Sequence, residues 1–105
     1  MKLVMDMLME IELDEYACEQ YDMDIYACYD MMDAYFMMQG IQIMGKGFYS
    51  GNRLKDKGFK AFALSLCTFP KIDRFIECTT KWNWYSNDCV KDYLYILKWN
   101  ENAHI

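Results

Sequence analysis

Residues 3–13 read LVMDMLMEIEL, and this stretch decides the fold class. Its apolar side chains alternate along the chain, so an extended backbone would project them all from one side. They are Leu3, Met5, Met7, Met9, Ile11 and Leu13. The acidic side chains of the same stretch fall on the other side. A period of two is typical of a strand with one covered face, so the alternation predicts an amino-terminal strand, although methionine favours helices.

From Asp14 the pattern changes to the period of a helix. Asp14 is placed to cap the amino end and Gly40 to end the helix, with a first-turn carboxylate at Glu15. The apolar face between these signals consists of Cys18, Tyr21, Ile25, Cys28, Tyr29, Met32, Tyr35 and Phe36. The sequence therefore predicts one long amphipathic helix of roughly 25 residues.

The segment after this helix contains a strand signal and then an ambiguous apolar run. Residues 41–49 predict a strand that is broken by Gly45 and Gly47. Residues 59–69 are apolar for most of their length and fit a buried strand. A helix capped by Asn52 through the same stretch is the alternative.

The last third of the chain adds a short helix and further strands. Pro70 suits the first turn of a short helix, and Trp82 and Trp84 alternate as in a strand. Residues 90–99 fit either a strand or a helix. Together these elements predict a single α+β domain over residues 1–105, with an amino-terminal strand, one long acidic helix and a small antiparallel sheet with a short helix. An all-α domain is the alternative.

The composition is that of one globular domain. The 105 residues are 54% hydrophobic and 26% charged with a single proline, which excludes a disordered or low-complexity chain. No apolar run is long enough to span a bilayer, and the start of the chain places an acid where a signal peptide needs an apolar stretch. We therefore expect a cytoplasmic protein with no membrane partner.

The charge is distributed unevenly along the chain. Residues 1–45 hold ten acids and one base, whereas residues 46–105 hold ten bases and six acids, within a net charge of −5. An acidic first half repels the phosphates of nucleic acids. The same half suits a partner protein with a basic surface.

On the predicted long helix, acidic side chains form a stripe within about 80° of one another. The candidate partner-binding residues are Glu15, Glu19, Asp22, Tyr26, Asp30 and Asp33. Like charges four residues apart destabilise a helix by a few tenths of a kcal/mol each, and no Lys or Arg lies on this helix to offset them. A basic surface opposite the stripe would remove this cost, whether it belongs to another protein or to the lysines after residue 45.

A short acidic chain with a carboxylate-lined helix resembles the small phage proteins that counter host defence, of the anti-CRISPR and anti-restriction type. The resemblance rests on size and on the acids between Asp6 and Asp33. Several of those proteins mimic the spacing of nucleic-acid phosphates. With the acidic stripe, the resemblance implies an inhibitor whose acidic amino-terminal half docks on a basic surface of a host protein, most concretely a nucleic-acid-handling defence enzyme. An antitoxin-like neutraliser would rely on the same physics.

The sequence contains no motif for catalysis, for a cofactor or for a metal. The only histidine is His104, so a Ser–His or Cys–His pair lacks a well-placed base. The five cysteines lie at least ten residues apart without a Cys-x-x-Cys pair, which is typical of buried thiols rather than of zinc ligands. We therefore expect no enzyme activity, no cofactor and no metal.

Two alternative functions would use other parts of the chain. A nucleotide or nucleic-acid binder would use a basic segment over residues 46–60, in which aromatic residues are interleaved with cations. These cations are Lys46, Arg53, Lys55, Lys57 and Lys60. A structural homo-oligomer, for example a homodimer, would use the apolar flank of the long helix. This flank consists of Ala27, Met31, Ala34 and Met38.

Overall fold

The computed structural model describes residues 7–51, 56–86 and 89–103. Strand β1 (Met7–Leu13) is the central strand of an antiparallel five-stranded sheet. The predicted alternation is confirmed, because Met9 and Ile11 are fully buried while the residues between the buried positions are half-buried or exposed. Leu3 and Met5, which would extend the pattern, lie outside the described residues.

Four further strands complete the sheet. They are β2 (Gln42–Gly45), β3 (Phe48–Ser50), β4 (Thr79–Ser86) and β5 (Cys89–Asp92). The order across the sheet is β2-β3-β1-β4-β5, and every neighbouring pair is antiparallel. The predicted break at Gly45 and Gly47 falls at the turn between β2 and β3. The α+β class and the antiparallel sheet are confirmed, and the all-α alternative is not supported.

The prediction of one long helix is wrong, because the segment forms two helices, α1 (Glu15–Gln20) and α2 (Ile25–Met38). Between them Asp22 adopts a left-handed backbone conformation with φ of 56°. Asp24 then caps α2, since its carboxylate accepts hydrogen bonds from two backbone N–H groups of the first turn at 3.0 and 3.3 Å. Aspartate side chains that bond to nearby backbone groups favour caps and turns over helix interiors, which explains the break.

The outer ends of the predicted helical segment are correct. The Asp14 carboxylate accepts hydrogen bonds from the backbone N–H groups of Tyr16 and Ala17, each at 3.3 Å. Gly40 follows α2 with a φ of 80°, the left-handed conformation that glycine adopts without strain after a helix.

The apolar run after residue 56 is helix α3 (Asp56–Thr68), so the strand prediction for residues 59–69 is wrong and the helical alternative is confirmed. Its buried positions include Ala61, Phe62 and Ser65, which recur with the period of a helix. Asn52, the proposed cap, lies outside the described residues. A short 3₁₀ helix (Phe69–Lys71) follows and contains the predicted early proline.

The carboxyl-terminal segment combines both alternatives that its pattern allowed. Trp82 and Trp84 lie on β4 as predicted and are buried. Residues 90–99 begin in β5 and continue into helix α4 (Tyr93–Ala103). The helix begins there because the Asp92 carboxylate accepts hydrogen bonds from two backbone N–H groups of its first turn, at 3.0 and 3.3 Å.

The core lies between one face of the sheet and the helices α2 and α3. Phe36 of α2 packs on Tyr49 of β3 with 4.4 Å between ring centroids, and Phe62 of α3 packs on Trp84 with 5.5 Å. The opposite face of β1 carries its acidic side chains, and Lys81 of β4 lies opposite Glu12 in the strand register. None of the helices in the described ranges is long and apolar enough to cross a membrane.

Candidate functional site

Helix α2 presents three of the predicted site residues on one side. Tyr26, Asp30 and Asp33 are spaced four and three residues apart, which places them on one helical face. Tyr26 is 66% exposed, Asp30 is exposed and Asp33 is half-buried. These residues therefore form a continuous surface on α2.

Asp33 also has a structural partner that the sequence pattern did not indicate. The hydroxyl of Tyr49, whose side chain is fully buried, donates a hydrogen bond of 2.7 Å to Asp33 Oδ1. Burial raises the pKa of Tyr49, and the hydrogen bond to Asp33 raises it further. The carboxylate thus connects the acidic surface to the core.

Helix α1 and the turn after it present the remaining acids. Glu15 and Glu19 lie one turn apart on α1, Asp22 lies in the turn, and all three are exposed. The predicted 80° stripe assumed one continuous helix, and the break removes that geometric basis. The acids instead occupy two helices and the turn that joins them. Together with Tyr26 we call them the acidic surface (Glu15, Glu19, Asp22, Tyr26, Asp30 and Asp33).

The described cations do not neutralise the acidic surface. Within residues 7–51, 56–86 and 89–103 the ion pairs are Arg74–Glu77 at 3.3 Å and Lys81–Glu10 at 3.8 Å. Neither pair includes a residue of the acidic surface. Its carboxylates therefore carry unpaired charge within the described part of the chain.

Two cations nevertheless approach α1 and α2, and both contact aromatic rings. The Lys46 ammonium lies 4.9 Å from the ring centroid of Tyr29 and 5.6 Å from that of Tyr26. The Arg74 guanidinium lies 4.8 Å from the ring centroid of Tyr21. The rings of Tyr21, Tyr26 and Tyr29 thus already contact basic side chains of this chain.

A cleft of about 420 Å³ adjoins the acidic surface, between the outward face of β1, the first turns of α1 and α2, and the β2–β3 turn. Its charged lining consists of Glu10, Glu12, Glu15, Lys46 and Lys81. The Glu10 side chain is only 12% exposed, and its Oε1 accepts hydrogen bonds from Tyr85 at 2.8 Å and Asn83 at 3.2 Å. The bond to Glu10 raises the pKa of Tyr85. Glu10 is therefore held in place by β4.

Sequence reasoning did not identify Glu10 and Glu12 as neighbours of the site. The alternation on β1 did place both on the outward face. What the pattern lacked was the pairing of β1 with β4 and the position of α1, which bring these carboxylates to the same cleft as Glu15.

The basic segment proposed for nucleotide or nucleic-acid binding is described only in part. Of the basic segment, Lys46 lies in the cleft beside β1, whereas Lys57 and Lys60 are exposed on α3. Arg53 and Lys55 lie outside the described residues. The described cations of this segment therefore belong to separate parts of the fold.

The apolar flank proposed for a homodimer lies on α2. Three of its members, Ala27, Ala34 and Met38, are exposed. Met31 is partly buried and packs against the core. The flank thus faces solvent along most of its length, on the same helix as the acidic residues.

The thiols differ in their environments. Cys18 and Cys78 are buried, and burial raises the pKa of the Cys18 thiol to about 11. Cys67 and Cys89 are exposed. Within the part of the chain that the structure describes, no group of three or more His, Cys, Asp or Glu side chains is placed to bind a metal ion.

No protein-family model matches the chain, and neither a curated protein nor a solved structure matches it at a significant level. Its function is therefore inferred from the surfaces described above.

Proposed function

We propose that the chain is a non-catalytic protein-binding inhibitor whose acidic amino-terminal half docks on a basic surface of a partner. A nucleic-acid-handling defence enzyme is the most concrete partner, as in the anti-CRISPR and anti-restriction proteins that the chain resembles. The observation that supports the proposal is the acidic surface, whose exposed carboxylates have no ion-pair partner among the described residues.

The free-energy gain on binding would come from charge that the free protein leaves unpaired. Glu15 and Glu19 repel each other at a cost of a few tenths of a kcal/mol. Lysines and arginines of a partner would replace that repulsion by attraction. Because such contacts act mainly on the association rate and are screened by salt, binding should weaken steadily as ionic strength rises.

The aromatic residues among the acids would add contact area. Tyr16 is 69% exposed and Tyr26 is 66% exposed. Tyrosine is enriched among the residues that dominate binding energies in interfaces. The stacking of Arg74 on Tyr21 within this chain illustrates the contact that an arginine of the partner would make with these rings.

Inhibition would then follow from competition. A groove that binds nucleic acid presents Lys and Arg side chains to phosphates. Carboxylates on α1, on the turn and on α2 would occupy those side chains and so exclude the nucleic acid. This competition needs no catalytic group. The number of inhibitor molecules required per partner molecule would be set by binding alone.

The test compares two double charge reversals in DNA-cleavage assays with purified Cas effector–guide complexes and restriction endonucleases. Glu19→Lys with Asp30→Lys changes the acidic surface. Asp73→Lys with Glu77→Lys changes the net charge equally at two acids outside that surface, so it serves as the matched control. Asp33 is left intact because it holds Tyr49.

We expect the wild-type protein and the control to inhibit at least one effector, and the acidic-surface variant to lose both binding and inhibition with an unchanged circular dichroism spectrum. Equal loss in both variants would show that only the net charge matters. Full inhibition by the acidic-surface variant, or no inhibition of any effector by the wild type, would contradict the proposal.

A further inference from the structure

A second cleft, of about 370 Å³, lies where α3, the β4–β5 pair and the start of α4 meet. Its lining consists of Phe59, Trp84, Ser86, Cys89, Val90, Lys91 and Tyr93. We propose that this cleft, called here the aromatic cleft, binds single-stranded nucleic acid, with a base against the aromatic rings and the adjoining phosphates on lysine side chains.

The rings of the aromatic cleft form a platform that is open to solvent on one side. Phe59 is 58% exposed, although its ring centroid lies only 5.1 Å from that of Trp84. Tyr93 packs on the same indole with 5.9 Å between centroids, and Phe62 contacts it edge-on at 5.5 Å. The buried Trp84 thus supports the exposed ring of Phe59, which gives a surface on which a base can stack.

One lysine lines this platform and a second follows one of its residues in sequence, in a protein whose net charge is −5. Lys91 is the register partner of Trp84, so the two side chains project from the same face of the sheet. Lys60 follows Phe59 on α3 and is exposed. Neither lysine has an ion-pair partner among the residues that the structure describes.

Among the residues that the structure describes, no carboxylate lines the aromatic cleft to compete with a phosphate. Asp92, which follows Lys91, directs its carboxylate to the first turn of α4, where it accepts a hydrogen bond from the backbone N–H of Leu94 at 3.0 Å. Charge complementarity therefore favours an anionic ligand with a flat aromatic part. A volume of about 370 Å³ is at the small end of ligand-sized sites, which suits a single unpaired nucleotide of a strand rather than a duplex.

The inference does not rest on the proposed inhibitor function. The aromatic cleft uses α3, β5 and α4 with positive charge, whereas the acidic surface uses α1 and α2 with negative charge. Either proposal can therefore fail while the other stands.

The first experiment measures binding of a fluorescein-labelled deoxythymidine decamer by fluorescence anisotropy. With two phosphate contacts, affinity should fall about sevenfold between roughly 50 and 200 mM NaCl. Phe59→Ala should weaken binding at least about fivefold because a stacking surface is lost. Leu64→Ala, at an exposed position of the same helix outside the cleft, should have no effect.

Charge reversals provide a second matched pair. Lys91→Glu should weaken binding and reduce its salt dependence, whereas Lys71→Glu, at an exposed lysine outside the cleft, should leave both unchanged. Thymidine monophosphate in the same assay shows whether one nucleotide is sufficient or a strand is required.

The second experiment locates the ligand on the wild-type protein and needs no variant to fold. Cys89 lines the aromatic cleft, and Cys67 is exposed on α3 outside it. The decamer should slow alkylation of Cys89 by iodoacetamide, followed by mass spectrometry, without changing the rate at Cys67. Absence of binding, binding without protection of Cys89, or protection by a basic or apolar peptide but not by the decamer would each overturn the proposal.

Discussion

Replacing Tyr49 with phenylalanine should destabilise the protein through a single hydroxyl group. The ring is fully buried and would remain packed on Phe36, so the lost contact is the 2.7 Å hydrogen bond to Asp33. A hydrogen bond to a charged group contributes about 1.5–3 kcal/mol. For a loss of about 2 kcal/mol, the melting temperature should fall by roughly 8–16 °C.

The same variant should change the dependence of stability on alkaline pH. Burial and the bond to Asp33 raise the pKa of Tyr49 above its value in the unfolded chain, so the protonated form is favoured by folding. The contribution is complete below about pH 10 and is lost as the pH rises, at about 1.4 kcal/mol per pH unit. Tyr49→Phe should therefore make the free energy of unfolding decline less steeply above pH 10 by about that amount.

Urea unfolding at several pH values measures both effects, and a double-mutant cycle with Asp33→Ala isolates the pair. Asp33→Asn is the conservative control, because its side-chain oxygen still accepts the bond. We expect it to cost less than Asp33→Ala. Additive losses in the cycle, together with an alkaline slope that Tyr49→Phe leaves unchanged, would refute the reasoning.

Two other predictions concern the β2–β3 turn and the thiols. Gly47 has a φ of 79°, and an added Cβ would overlap the carbonyl oxygen of Ile11, so Gly47→Ala should lower the free energy of unfolding by more than about 1 kcal/mol. Gly45→Ala, whose added Cβ would meet open space, should change the free energy of unfolding by less than about 0.5 kcal/mol. Equal effects of the two substitutions in urea titrations would contradict this prediction. In native protein at pH 8 the exposed thiol of Cys67 should react with Ellman's reagent in a fast phase. The buried thiol of Cys18, whose pKa is raised to about 11, should react only when the protein unfolds. A fast reaction of Cys18 in the native protein would show that this thiol is accessible to solvent.

The central strand could be predicted from the sequence because its physics is local. A sheet with one covered face requires alternation, and Met9 and Ile11 follow it without exception among the described positions of β1. Their burial does not depend on which strands lie beside β1. The alternation was therefore sufficient to predict the strand and its buried face.

The division of the helical segment could not be predicted from its apolar stripe. Tyr21 and Ile25 continue the stripe across the turn, so the periodicity conceals the break. The signal that could have revealed it is the pair Asp22 and Asp24, since aspartate suits a left-handed turn residue and a helix cap. The hydrophobic pattern does not register those two residues, because neither is apolar.

Helix α3 was ambiguous for a related reason. A continuous apolar run fits a buried strand or a buried helix, and length is the usual guide. Ser65 is buried, and its hydroxyl donates a hydrogen bond of 2.6 Å to the carbonyl oxygen of Phe62 within the same helix. In a buried strand, the same hydroxyl would have needed a partner from another part of the chain. A polar residue in an apolar run thus carried information that the hydrophobic pattern did not.

The candidate site depended on contacts between elements far apart in the sequence. Glu10 meets Tyr85 through the pairing of β1 with β4, and Asp33 meets Tyr49 through the packing of α2 on β3. Neither the strand register nor the helix position is encoded in a local pattern. The sequence therefore indicated which residues are acidic and outward-facing. The fold determined which of their carboxylates already accept hydrogen bonds within the protein.

The tie between Asp33 and Tyr49 has a consequence for how the protein can vary. The Asp33 carboxylate stabilises the fold through its hydrogen bond to Tyr49, and Asp14 and Asp24 stabilise it by capping helices. The carboxylates of Glu19 and Asp30 make no stabilising contact among those described. A mutant library sorted for abundance in cells would deplete changes at the first three positions and tolerate them at the last two. Glu19 and Asp30 are therefore expected to vary among related sequences, whereas Asp14, Asp24 and Asp33 stay constant.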